Sequence, residues 1–194
     1  MTAVEAIAAL VSAAAVWLTV QRQMLSYPVG IASVVLYAWV FVVARLYSDA
    51  LLQGFFGVML VYGWFHWQRH LTDDGLVQPA PLAWRPACGG VVISLIGAVA
   101  LGYLMHRYTN AALPWLDSLL TALSLLAQWW QSRRHIAAWW LWIGVDVVYV
   151  GEYIYKDLRI TSVLYAGFVV LAILGLRAWQ RATAPETPAT PDSR

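Results

Sequence analysis

Seven runs of mostly apolar residues follow one another along the chain, at 4–22, 28–45, 49–68, 87–106, 115–132, 138–155 and 160–179. A helix needs about 20 such residues to cross the ~30 Å hydrocarbon layer of a bilayer, so this spacing predicts a polytopic helical membrane protein. The connections carry turn chemistry: Pro28 opens the second run, Thr72-Asp73-Asp74-Gly75 with Pro79, Pro81 and Pro86 forms the longest loop, and Asn110 and Pro114 precede the fifth. A six-span reading, with one short segment lying in the interface, is the alternative. The average composition agrees, with 61% hydrophobic and 11% charged residues against roughly half and a quarter in soluble domains. One soluble core cannot absorb that much apolar surface in 194 residues, which excludes a soluble enzyme, a disordered chain and a coiled coil. A net charge of +2 with scattered cations argues against nucleic acid as a partner; the lipid bilayer is the partner that the composition demands.

Cations give the orientation. Arg22, Arg69, Arg85, Arg133, Arg134, Arg177, Arg181 and Arg194 fall on one side, and Arg45, Arg107, Lys156 and Arg159 on the other. The richer side is expected in the cytoplasm, leaving the N-terminus outside. Met1 to Ala6 contain Glu5 and no Lys or Arg, so the first run reads as a retained helix and not as a cleaved signal peptide. Cys88 stands alone, so no internal disulfide or cysteine-based metal site is expected. The Pro-, Thr- and Ala-rich segment 181–194 reads as a disordered cytoplasmic tail.

An offset of 112 residues aligns the two ends of the chain without a gap. Trp17 falls on Trp129, Arg22 on Arg134, Tyr37 on Tyr149, Leu46 on Leu158, Gly63 on Gly175 and Trp67 on Trp179. Coincidences of Trp, Arg and Tyr are far less frequent by chance than those of Leu or Val. The expected organisation is a three-helix repeat (1–68), a loop and linker helix (69–114, span 87–106), a second three-helix repeat (115–180) and the tail. Three helices invert the chain direction, so the linker helix is needed for the second copy to run parallel to the first. This 3+1+3 pseudosymmetry about the membrane normal suits alternating access around a site near mid-membrane.

Polar residues inside spans mark that site, because a central charge costs on the order of 3 kcal/mol. Helical spacing puts Trp139, Trp142, Asp146, Tyr149 and Tyr153 on one face, an aromatic wall holding one carboxylate. In the fifth span Asp117, Thr121, Ser124, Gln128 and Gln131 form a second stripe. Thr121 and Ser124 are equally readable as interhelical glue, Asp49 and Asp117 as helix caps, and Trp139 as an interfacial belt residue. Glu152 lies off the Asp146 face, either a gate residue or an exposed charge. Such a lining fits a small, flat, polar and cationic solute, held by stacking and cation–π contact and by a balancing carboxylate. No Gly-rich phosphate cradle, no metal-ligand spacing among His66, His70, His106 and His135, and no Ser–His–Asp or Cys–His set at one depth is present in the sequence. No cofactor, metal or catalytic residue is therefore expected, and a membrane enzyme acting on a lipid or nucleotide is the remote alternative.

The run Trp139-Trp140-Leu141-Trp142-Ile143-Gly144-Val145-Asp146 resembles the WxxW segment of the PnuC family of bacterial vitamin transporters. Leu46-Tyr47, Asp49, Leu52-Gln53, Tyr62-Gly63-Trp64, Trp67, Asp117-Ser118, Ser124-Leu125 and Leu164-Tyr165 are similar to that family in order and spacing, over about residues 5–180. The resemblance implies a fold related to the SWEET sugar transporters, assembly as a homotrimer, and facilitated uptake of nicotinamide riboside, an NAD precursor, trapped by cytoplasmic phosphorylation; thiamine is the alternative vitamin. It assigns Trp139, Trp142, Asp146 and Gln128 to the substrate site, joined from the residues' own pattern by Tyr149 and Ser124, with Tyr37 and Gln53 from the first repeat. The chain departs from nicotinamide riboside members, which often have Asn where it has Ser33, Leu60 and Asp146.

Overall fold

A computed structural model describes residues 3–43, 47–109, 113–157 and 159–183. Its seven helices are α1 (Ala3–Val20), α2 (Ser26–Val43), α3 (Tyr47–Gln68), α4 (Trp84–Tyr108), α5 (Pro114–Ser132), α6 (Ala137–Tyr155) and α7 (Arg159–Arg181). Each covers one of the expected apolar runs and differs from it by only a few residues at either end. The arginine expected to open the tail still belongs to α7; residues 184–194, like the Leu46 and Leu158 pair, lie outside the described residues.

The described residues contain three helices long and apolar enough on their own to cross a membrane: α2, α4 and α7. In α1 the apolar stretch, Ala6–Val20, is shorter; α3, α5 and α6 are diluted for a structural reason. The polar stripe of α5, the Asp146 and Glu152 of α6, and Asp49, Gln53 and His66 of α3 lower the average hydropathy of these helices. Amphipathic helices in a bundle turn such residues inward.

Helix packing makes a closed ring. Around it α1 touches α2, α2 touches α3, α3 touches α5, α5 touches α6, α6 touches α7, and α7 returns to α1. α4 stands outside this ring against α5, its Val92, Ile93, Ile96 and Val99 exposed.

The two ends of the ring differ. At one end, Tyr27, Trp67, Trp179 and Trp139 form a buried aromatic cluster. Tyr27 meets Trp67 edge-on at 4.9 Å, Trp139 meets Trp179 edge-on at 5.4 Å, and the two pairs join where Trp67 and Trp179 approach to 5.6 Å. Edge-to-face pairs of this kind contribute about 0.5–1.5 kcal/mol beyond area burial. The indole N–H groups tie the ring across its seams: Trp67 Nε1 donates to the Gln131 carbonyl at 3.2 Å and Trp179 Nε1 to the Thr19 carbonyl at 3.1 Å. Glycines permit the close packing. A Cβ on Gly63 would come 2.6 Å from the Tyr27 hydroxyl, and one on Gly175 would come 2.6 Å from three ring atoms of Trp139.

The loop after α3 staples this end. Val77, fully buried, seats beside the aromatic cluster. Arg22 and Arg134 both adopt the left-handed conformation, with φ of 62° and 66°, which an unbranched non-glycine residue rarely does without compensation. Here the compensation is a pair of clamps. The Arg22 carbonyl accepts from Val77 N at 3.0 Å while its guanidinium donates to the Val77 carbonyl at 3.3 Å. The Arg134 carbonyl accepts from Ala80 N at 2.8 Å while its guanidinium donates to the Gln78 carbonyl at 2.6 Å. Next to it, His135 Nδ1 pairs with the Pro81 carbonyl at 3.1 Å, and burial moves the His135 pKa below its ordinary value against the opposing effect of its backbone bonds.

Candidate functional site

A cavity of about 550 Å³ runs inside the ring, from Trp67 and Trp139 at the stapled end to Asp49 and Tyr165 near the other. That volume lies in the range of small-molecule sites. α6 presents Trp139, Trp142, Asp146 and Tyr149 to it, because successive steps of three and four residues return to one face. α5 contributes Ser124 and Gln128, α2 Tyr37 and α3 Gln53. All eight residues singled out from the sequence therefore line one cavity. So do Ser33 and Leu60.

Asp146 is 6% exposed, and no cation among the described residues pairs with it. Its neighbours along the wall are rings. Trp142 is held by a hydrogen bond from its Nε1 to the Gln131 side-chain carbonyl. Trp139 is 1% exposed and fixed edge-on against Trp179, which excludes the belt reading; its Nε1 is buried without an acceptor. Towards the far end, Tyr149, Tyr153 and Tyr165 form a mutual cluster with centroids 4.9–5.7 Å apart. Tyr37 stacks with Phe41 at 5.9 Å on the opposite side.

The acidic residues near the span ends divide. Asp49 lies in the first turn of α3 and lines the cavity. Asp117 is not the cap expected of it: Leu113 occupies the N-cap of α5 without a side-chain bond, and Asp117 turns instead to Lys156 Nζ at 3.6 Å. Glu152 is not an exposed charge. It is buried, its Oε1 accepts from Lys156, and its Oε2 has no partner. Together these tie α5 to α6 beside the tyrosine cluster.

Several lining residues escaped the sequence reading: Ser12, Ser26, Tyr27, Trp67, Thr161 and Tyr165. Tyr27 and Trp67 resemble interfacial belt residues when read singly. The signal that could have found them is the 112-residue offset, which puts Tyr27 on Trp139 and Trp67 on Trp179. No group of three or more His, Cys, Asp or Glu that could hold a metal ion exists among the described residues.

A helical bundle with apolar exterior, a central cavity lined by rings and amides, and, among the described residues, one buried acid without a cation defines the class of a multi-pass membrane transporter. Comparison with known proteins gives the family. A model of the nicotinamide mononucleotide transporter family matches residues 2–181, and the chain belongs to this family, that of the PnuC transporters. It is 24% identical over 201 residues to the nicotinamide riboside transporter PnuC of Escherichia coli K12, covering 91% of this chain and 84% of the relative. It is 27% identical over 123 residues to the riboflavin/roseoflavin transporter RibM of Streptomyces davaonensis, covering 61% and 57%. The crystal structure of the vitamin B3 transporter PnuC superposes with a TM-score of 0.76 at 22% identity, over 92% of this chain and 81% of that one, which shows the same fold.

Proposed function

We propose that this protein is a facilitator that carries nicotinamide riboside across the bacterial inner membrane down its gradient, with cytoplasmic phosphorylation trapping the vitamin. The observation that carries this reading is the buried Asp146 carboxylate, unpaired with any cation among the described residues and flanked by Trp139, Trp142 and Tyr149 on one cavity wall. An acid at this depth costs on the order of 3 kcal/mol, and a flat pyridinium supplies both its counter-charge and a face for the rings. Cation–π contact adds about 2 kcal/mol when desolvated. Gln128, Ser124, Gln53 and Tyr37 would bond the hydroxyl and amide groups of such a solute. The names of relatives support the reading, two being nicotinamide riboside transporters from different organisms.

Thiamine is the second reading. It is favoured by one observation: Ser33, Leu60 and Asp146, where nicotinamide riboside carriers often have Asn, all line the cavity. Fewer amides and an added carboxylate suit a thiazolium with less hydrogen-bonding periphery.

The mechanism that fits is a rocking of two parallel three-helix repeats, 1–68 and 115–180, joined through 69–114, in a SWEET-related 3+1+3 architecture with all seven helices spanning. Supporting it, the ring contacts come in pairs 112 positions apart: Gly63 on Tyr27 and Gly175 on Trp139, Trp67 on the carbonyl of 131 and Trp179 on that of 19. The stapled end, rich in Arg, would face the cytoplasm, with the N-terminus outside. The apolar outer face of α4 is available to lipid or to neighbouring copies in a homotrimer.

Titration calorimetry of the purified protein with nicotinamide riboside and thiamine tests the reading. Saturable binding of nicotinamide riboside is expected. Tighter binding of thiamine would transfer the assignment to the second reading, and binding of neither would overturn both.

A further inference from the structure

Gln131 stands at the junction between the cavity and the stapled aromatic end. Its two oxygen atoms do different work. The backbone carbonyl accepts the N–H of Trp67, a member of the buried cluster. The side-chain carbonyl accepts the N–H of Trp142, a wall of the cavity. An indole nitrogen only donates, so this contact fixes which end of the amide faces Trp142; the end left for the cavity is the N–H donor.

The matching site in the first half separates structure from function. Trp179 donates to the backbone carbonyl of Thr19, which lies 112 positions before Gln131, so the backbone half of the arrangement exists in both copies. The side-chain half does not. Thr19 turns its hydroxyl back to the Ala15 carbonyl, and the position 112 before Trp142 is Gly30, which carries no ring. Closing the seam thus needs only the backbone bond. The Gln131–Trp142 pair is an addition confined to the half that also holds Asp146.

We infer that Gln131 is a positioning residue for substrate: it locks the plane of the Trp142 indole against which the solute stacks, and does so from the same residue that anchors the closed end through Trp67. This rests on the transporter reading above. A tryptophan on a helix has two soft torsions, and a ring that must present a face to a solute gains from a bond that holds it there beforehand. Because every side chain at 131 keeps the backbone carbonyl, substitutions there remove the Trp142 bond and leave the Trp67 bond in place.

The test is a double-mutant cycle on the full chain, reading Kd by calorimetry and initial uptake in proteoliposomes, with nicotinamide riboside or, where wild type prefers it, thiamine. Gln131→Met should raise Kd by about fivefold, the scale of one hydrogen bond, without slowing maximal uptake. Gln131→Glu, which keeps the acceptor, should restore the Kd to within about twofold of wild type. Trp142→Phe removes the donor, so adding Gln131→Met to it should change nothing further; independent action would multiply the two effects. An unshifted Kd in Gln131→Met, failure of Glu to rescue it, or multiplicative effects in the double variant would overturn the positioning role. If Gln131→Met does not fold, the comparison of Gln131→Glu with Trp142→Phe decides: a Glu variant that loses affinity as the Phe variant does overturns the inference. Wild-type protein that binds neither vitamin would overturn the transporter reading itself, a result distinct from all of these.

Discussion

Residues 3–68 and 114–181 place the same kinds of side chain at the stapled end and only partly the same ones along the cavity. Tyr27 and Trp67 in the first half correspond to Trp139 and Trp179 in the second, all buried, and Arg22 and Arg134 share a left-handed backbone. Along the cavity the correspondence is only partial: Ser12 and Ser124, Tyr37 and Tyr149, Leu52 and Leu164, and Phe56 and Phe168 match, but the charged and amide positions do not. Val34 stands where the second half has Asp146, Gly30 where it has Trp142, Thr19 where it has Gln131, and Val40 and Ala44 where it has Glu152 and Lys156. A framework that recurs at the positions closing the ring, with chemistry concentrated on one side, separates what holds the fold from what selects the solute.

The largest effect should come from testing the framework. Gly175→Ala drives a methyl to 2.6 Å from the Trp139 ring, and Gly63→Ala drives one to 2.6 Å from the Tyr27 hydroxyl. Overpacking of this kind costs about 1–3 kcal/mol. The two should not be equal. Both rings are held edge-on, Tyr27 by Trp67 and Trp139 by Trp179, but Tyr27 meets the methyl at 2.6 Å with its hydroxyl alone, whereas Trp139 presents three atoms of a fused ring at that distance. Thermal unfolding in detergent should therefore give a greater loss for Gly175→Ala. Equal losses would mean that the two halves yield alike and that the indole is no stiffer than the phenol.

Asp146→Asn comes next. It removes the charge and keeps the shape, so binding of a cationic vitamin should weaken by about tenfold, the scale of a partly desolvated charge contact. Reduced nicotinamide riboside, whose ring is neutral, should bind the variant and wild type alike. An unchanged Kd for the cationic form would remove Asp146 from the site and leave the second half no more specialised than the first.

How far the sequence alone reveals this division depends on the residue. The helices are legible because bilayer thickness dictates the length of each apolar run. The faces of α5 and α6 are legible because a polar residue in an apolar helix stands out, and helical periodicity then picks its neighbours. Asp117 belongs to that stripe by spacing yet turns to Lys156, and periodicity within one helix cannot locate a cation on another. Ser12 and Ser26 line the cavity but do not stand out in the sequence, since a small hydroxyl serves equally well between packed helices. The clamps of Arg22 and Arg134 on the loop at 77–80 depend on backbone torsion and long-range contact, neither of which leaves a pattern in composition.

The smallest effect concerns the ion pair found only in the second half. Lys156 binds buried Glu152 and reaches Asp117, whereas Val40 and Ala44 occupy the corresponding positions in the first. If the pair serves only the fold, making the second half like the first should be tolerated, because replacing both partners by apolar groups leaves no buried charge orphaned; Asp117, which also loses Lys156, is partly exposed and keeps water. Glu152→Val with Lys156→Ala should then change stability by less than about 1 kcal/mol. Lys156→Ala alone should cost more than the double change, since it strands Glu152 without its donor. A double variant that unfolds as readily as the single one would mean that the pair holds the bundle together. A double variant that is stable but transports poorly would move the Glu152–Lys156 pair out of the framework and into the chemistry of the second half.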